Sequence, residues 1–211
     1  MDEHQQRTVS LYAGIMEEIK FRMAAIEALI RGQFNIHPGL IHEMSFLQLR
    51  MVCELIALGC LVAHGDIEEA TPLQKEWSAD KIIAKLSIIH PDFYPVSLQP
   101  VIAAGAAYAA TEAGFLAKDD LIQLYGRCGG MLHRGSLKKI LSRNQKDANQ
   151  VLQNIVAALN IIYTLLDRHT ILLIDPNTVI ICHMNDREQK VHTAIAKGRS
   201  ETESTWPPQA I

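Results

Sequence analysis

Residues 121–141 read LIQLYGRCGGMLHRGSLKKIL, and the rest of the chain is legible as a frame around them. At about 100° per residue, Leu121, Leu124, Tyr125, Cys128, Met131 and Leu132 fall in one apolar sector of a helix. Asp119 or Asp120 suits its start, where a carboxylate caps free backbone N–H groups. Gly126, Gly129, Gly130 and His133 share a second sector. Each glycine inside a helix gives up about 1 kcal/mol relative to alanine. Something is expected to offset that cost. One candidate is another backbone coming close to this face; the other is a break at Gly129-Gly130 that re-aims the chain.

Arg127 and His133 are the reactive residue types in this stretch. On one unbroken helix they point about 120° apart and sit about 9 Å apart along the axis. They converge if the helix breaks at the glycines, or if Arg127 of one copy meets His133 of another across a two-fold axis. The same region is basic. Residues 121–146 hold Arg127, Arg134, Lys138, Lys139, Arg143 and Lys146 and no Asp or Glu, in a chain with 20 Lys+Arg against 23 Asp+Glu. A local basic block on an otherwise acidic chain favours a phosphate or polyanion there. The plain alternative is a solvated basic helix end.

Outward from this stretch the pattern is helical. Residues 148–169 form a strong helix with Val151, Ile155, Ala158, Leu159, Ile162, Leu165 and Leu166 on its stripe, the natural packing partner of the site helix. Residues 8–31 form the first helix, on a stripe of Leu11, Ile15, Ile19, Met23, Ile26 and Ile30, with Gly32 at its end. Pro38-Gly39 marks a turn. Residues 42–64 form a second helix that is apolar almost all round beyond Met51, which predicts the centre of the bundle. Arg50 and Glu54 interrupt it, four apart on one face. They are either a structural ion pair or support for a site. Residues 66–77 read as a polar loop broken at Pro72. Residues 79–90 read as a shorter helix capped by Ser78 and stopped before Pro91. Residues 91–118 carry Pro91, Pro95 and Pro100 and then an alanine-rich run; they read as irregular, with a strand pair or a close-packed helix as alternatives.

The chain changes character near residue 170. Residues 171–174 and 179–182 read as a hairpin across Asp175-Pro176, and residues 191–196 as a third strand. Cys182, His183 and His192 lack metal-ligand spacing. Residues 142–147 read as a polar turn and residues 199–211 as a flexible tail. The expected architecture is mainly α: a helical bundle over residues 1–169, with a small β extension of the same domain over 170–198.

Composition narrows the function classes. Hydrophobic residues make up 48% of the chain and aromatics 6%, so an aliphatic core is expected. No apolar run reaches about 18 residues and the N-terminus lacks the order of a signal peptide, so no membrane span is expected. Four cysteines without framework spacing read as reduced buried thiols, and cytoplasm is the default. No Walker loop, dinucleotide fingerprint, zinc spacing or nucleophile elbow is visible, so no cofactor and no metal are expected.

An arginine followed six residues later by a histidine, Arg127 and His133, within an all-helical frame resembles the HEPN superfamily, whose signature is an arginine and a histidine four to six residues further on. The likeness covers the motif and the layout of roughly residues 8–169. It implies an up-down helical bundle and a metal-independent ribonuclease, of a toxin or defence-related kind, acting as a homodimer. His133 would be the general acid/base and Arg127 the stabiliser of phosphate charge. Arg134, Lys138, Lys139 and Arg143 would hold the RNA backbone, with Arg50 and Glu54 as site support. RNA or a nucleotide is the implied ligand, and a protein antitoxin a candidate partner. Other members keep the fold without activity. The competing expectation is therefore a non-catalytic helical module that binds RNA, a nucleotide or a protein.

Overall fold

The computed structural model describes residues 3–65, 68–100, 108–110, 115–133 and 148–198. Within them, α1 (Glu3–Ile30) and α2 (Pro38–Ala63) form a long antiparallel pair, followed by a 3-10 helix (Glu68–Lys75) and α3 (Ala79–Ile89). Two strands come next, β1 (Val96–Pro100) and β2 (Tyr108–Ala110), then α4 (Lys118–Leu132) and α5 (Ala148–Leu166). Strands β3 (Arg168–Leu172), β4 (Thr178–His183) and β5 (His192–Lys197) close the described chain.

Helix α2 is the centre, as its composition predicts. From Val52 to Ala63 nearly every side chain is buried. By length and composition α2 could cross a bilayer, but most of its apolar stretch is covered by the fold. Helices α1, α3, α4 and α5 all pack on it. Gly59 lets α1 close in: a Cβ there would stand 3.1 Å from Met16 Cε and 3.2 Å from Tyr12 Cε2. Pro38 occupies the first turn of α2, and His37 Nδ1 accepts from Gly39 N at 3.1 Å. Helix α1 ends where Gly32 takes φ +68°. Gly32 N–H donates to Leu29 O and Gln33 N–H to Ala28 O, the paired bonds of a Schellman ending.

Several elements differ from the sequence reading. The buried stripe of α1 runs through Tyr12, Met16, Ile19, Met23, Ile26 and Leu29, while Leu11 is exposed. The helix is turned so that Tyr12 and Met16 meet Gly59 and Tyr12 reaches the sheet. Residues 68–75 are helical, not loop, because Ala70 and Leu73, three apart, are buried at the period of a 3-10 turn. The irregular stretch contributes the strand pair β1 and β2. Helix α4 packs mainly on α2 and α3, and α5 on α2, β1 and β3, so α5 is not the chief partner of α4.

The sheet is antiparallel, in the order β2-β1-β3-β4-β5. A strand from between α3 and α4 thus lies beside the C-terminal meander. His169 pairs with Cys182 and Ile171 with Ile180, and these four side chains, with Thr178, face the core. Helices α1 and α5 cover that face. Thr178 Oγ donates to Asp175 Oδ2 at 2.6 Å and Asn177 N to Asp175 Oδ1 at 3.0 Å, which closes the β3–β4 turn. The polar turn expected at 142–147 and the tail at 199–211 lie outside the described residues.

His169 ties the sheet to α1. Its Nδ1 donates to Leu166 O at 2.9 Å, so its Nε2 is the acceptor for Tyr12 Oη at 2.6 Å. Complete burial pushes its pKa down from 6.5 to about 4, helped by nearby His183 and opposed by the Leu166 carbonyl. The unfolded chain therefore binds the proton first as pH falls. Stability from this group is complete above about pH 6.5 and is lost as pH drops toward about 4, a loss of about 2–4 kcal/mol for such a shift. Urea unfolding between pH 7 and 4 should show this slope, and His169→Gln should flatten it.

Candidate functional site

Helix α4 carries the Arg127–His133 pair. Ala117 stands at its N-cap without a side-chain bond, with Asp119 and Asp120 in the first turn, where the helix dipole favours acids. Leu121, Leu124, Tyr125 and Cys128 are buried, as their spacing predicts; Met131 and Leu132 are half-buried. The helix runs without a break through Gly129-Gly130 and ends at His133, whose backbone N–H donates to Gly129 O at 3.3 Å. The glycines do not re-aim the chain. Continuity therefore keeps Arg127 and His133 apart within one molecule, by about 9 Å of axial rise and about 120° of rotation.

Both side chains are exposed, and neither has a hydrogen-bond or ion-pair partner among the described residues. Gln123, Gly126 and Gly130 are exposed beside them. A Cβ at Gly126 or Gly130 would meet nothing within 4 Å. Among the described residues, then, no close backbone explains these two glycines, and none covers this part of the outer face of α4. Cys128, next to Arg127 in sequence, points the other way. Burial pushes its thiol up to about 12 against the pull of Arg127 and Arg50, so it is no nucleophile.

Gly129 has a different reason. A Cβ there would stand 2.7 Å from Arg50 Nη1. Arg50 Nε faces Glu54 Oε1 at 3.3 Å, its Nη2 donates to Tyr125 Oη at 2.5 Å, and its guanidinium carbon lies 4.1 Å over the Tyr125 ring. Burial raises the Tyr125 hydroxyl's pKa, as does the Glu54 carboxylate; Ser78 and Arg50 oppose that. The sequence placed Arg50 and Glu54 together correctly but took Tyr125 for a plain core residue. Tyr125 and Gly129, one turn apart on α4, are the signal: a ring and a gap at the spacing an arginine needs.

Arg134, Lys138, Lys139 and Arg143 lie outside the described residues, so the basic patch has no geometry here. Among the described residues no three His, Cys, Asp or Glu side chains converge. A cavity of about 400 Å³ lies elsewhere, lined by His4, Thr8, His64, Asp175, Thr178 and Lys197 among others, with no residue of α4 in its wall. Comparison with known proteins finds no matching family model, no matching curated protein and no matching solved structure.

The two sets of charges should separate in stability. Arg50→Met strands the Glu54 carboxylate, only 11% exposed, and should cost about 1–3 kcal/mol in urea unfolding. Arg127→Ala and His133→Ala remove exposed side chains with no partner among the described residues and should stay within about 0.5 kcal/mol of the parent.

Proposed function

We propose that this chain is a metal-independent ribonuclease of HEPN type that acts as a homodimer. The reading is carried by one observation: an arginine and a histidine stand exposed and unpartnered among the described residues, on the open, glycine-bearing face of an unbroken helix. A structural pair would be buried against backbone acceptors, as His169 is. Since one helix keeps the two apart, the active unit needs Arg127 from one copy and His133 from the other. His133 then moves the proton between the 2′-OH and the leaving oxygen. Arg127 neutralises charge on the phosphate as it becomes five-coordinate. Arg134, Lys138, Lys139 and Arg143 hold the strand by its phosphates. A protein antitoxin that covers the α4 face would silence this chemistry.

Cleavage should persist in EDTA and leave 2′,3′-cyclic or 3′ phosphate ends, and a DNA copy should be inert. His133→Ala and Arg127→Ala should each lower the rate about 10²–10⁴-fold while the fold holds. Mixing the two inactive variants should restore part of the activity, because a mixed dimer contains one intact site. RNA left uncut by the purified parent would return the chain to the non-catalytic binding class.

The dimer has its own test. A Cβ at Gly130 meets nothing within 4 Å among the described residues, so Gly130→Leu should fold as a monomer, but a leucine on the contact face should weaken self-association. Sedimentation of the parent at tens of micromolar, a working range for a micromolar-class interface, should show a dimer and that of Gly130→Leu a larger monomer fraction. A parent that sediments as a monomer there would defeat the composite site.

A further inference from the structure

The guanidinium of Arg50 is fixed on two nitrogens, and the third has no partner among the described residues. Nε is held by Glu54 and Nη2 by Tyr125, whose ring also supports the plane. Nη1 bonds to no described residue and occupies the gap left by the missing side chain of Gly129. The arginine side chain is 25% exposed and the glutamate behind it 11%. Gly129 precedes His133 by one turn and lies about 40° from it around the helix, whereas Arg127 lies about 120° away. Among the described residues of one chain, the arginine on the His133 side of α4 is therefore Arg50.

We infer that Arg50 is a phosphate-binding residue, its Nη1 reaching a phosphodiester oxygen through the notch at Gly129. That the phosphodiester belongs to RNA rests on the ribonuclease reading. A guanidinium offers planar N–H donors to a phosphate oxygen in charge-assisted bonds. Glu54 and Tyr125 hold it in place beforehand, so little side-chain freedom is lost on binding. Glycine at 129 costs helix stability, and among the described residues the atoms its Cβ would crowd are those of Arg50. In a two-fold assembly each site would then have two arginines, Arg50 beside His133 and Arg127 from the other copy.

Gly129→Ala is the sharp probe. Among the described residues its methyl meets only Arg50, at Nη1, so the guanidinium must shift while the core packing of α4 stays as it is, and alanine favours the helix. Gly14→Ala, exposed in α1 with nothing within 4 Å, controls for helix propensity alone. The ligand is a short, fully 2′-O-methylated oligoribonucleotide, which keeps its phosphodiesters but cannot be cut, titrated at low salt. Gly14→Ala should bind like the parent. Gly129→Ala and Arg50→Gln should each bind about tenfold or more weaker, the size expected for a lost charged hydrogen bond. Gly129→Ala should do so while staying folded, with a single cooperative melting transition. Unmodified RNA, assayed alongside, separates the two readings. If it is not cut but the methylated probe binds in an Arg50-dependent way, the ribonuclease reading falls and the phosphate site stands. If it is cut while Gly129→Ala and Arg50→Gln cut and bind at parental levels, the ribonuclease reading stands and Arg50 is only an ion pair. A parent that does not bind the probe overturns the phosphate site outright.

Discussion

A helix that is apolar on every side must be enclosed on every side, and α2 imposes that condition on the whole molecule. From Val52 to Ala63 it has almost no face to give to water. Four helices pack on it, and Gly59 lets the nearest, α1, close at the level of Tyr12 and Met16. Once α1 is held there, Tyr12 reaches His169, and the sheet is tied to the bundle through one buried hydroxyl–imidazole bond. Arg50 and Glu54 sit where α2 passes from mixed to apolar. A lone charge at that depth is costly, so the two pair and add the Tyr125 hydroxyl and ring as a third party.

That trio fixes the rotation of α4. With Tyr125 held under Arg50 and Leu121, Leu124 and Cys128 in the core, Gln123, Gly126, Arg127, Gly130 and His133 must face outward. The three glycines then divide into two kinds. Gly129 makes room for a side chain of this same chain. Gly126 and Gly130, four apart and so neighbours on the surface, make room for nothing among the described residues. Among the described residues the cost of glycine at these two positions has no offsetting contact, which is the gap that the proposed second copy would fill.

Legibility in the sequence followed local periodicity. The seven apolar positions of α5 are all buried, and the inward sector of α4 and the central place of α2 hold as well. What failed depended on distant partners. The α1 stripe is turned toward Tyr12 because Gly59, on another helix, admits it. The 3-10 helix around Pro72 depends on Ala70 and Leu73 finding the core. Strand β1 finds its partner β3 some seventy residues later in the chain, a pairing that no short window contains. The same holds at the site: the i, i+4 spacing of Arg50 and Glu54 is readable, but the ring of Tyr125 and the gap at Gly129 join them only through packing of α4 on α2.

Arg50 and Arg127 are held in opposite ways, and this bears on how the proposed site would work. Arg50 has its plane, its height and two of its nitrogens set by the fold before any ligand arrives. Arg127 is exposed, with no partner among the described residues to orient it. His133 ends the helix, its N–H bonded to Gly129 O while its own backbone is already extended, at φ −84° and ψ 130°. A pre-set donor suits ground-state binding, because little order is added when a phosphate docks. A group oriented only once a second copy or substrate is in place suits the step itself, since it acts only in the assembled complex. On the ribonuclease reading, holding the strand would fall to Arg50 and reacting with it to Arg127 and His133, the second only in the assembled dimer.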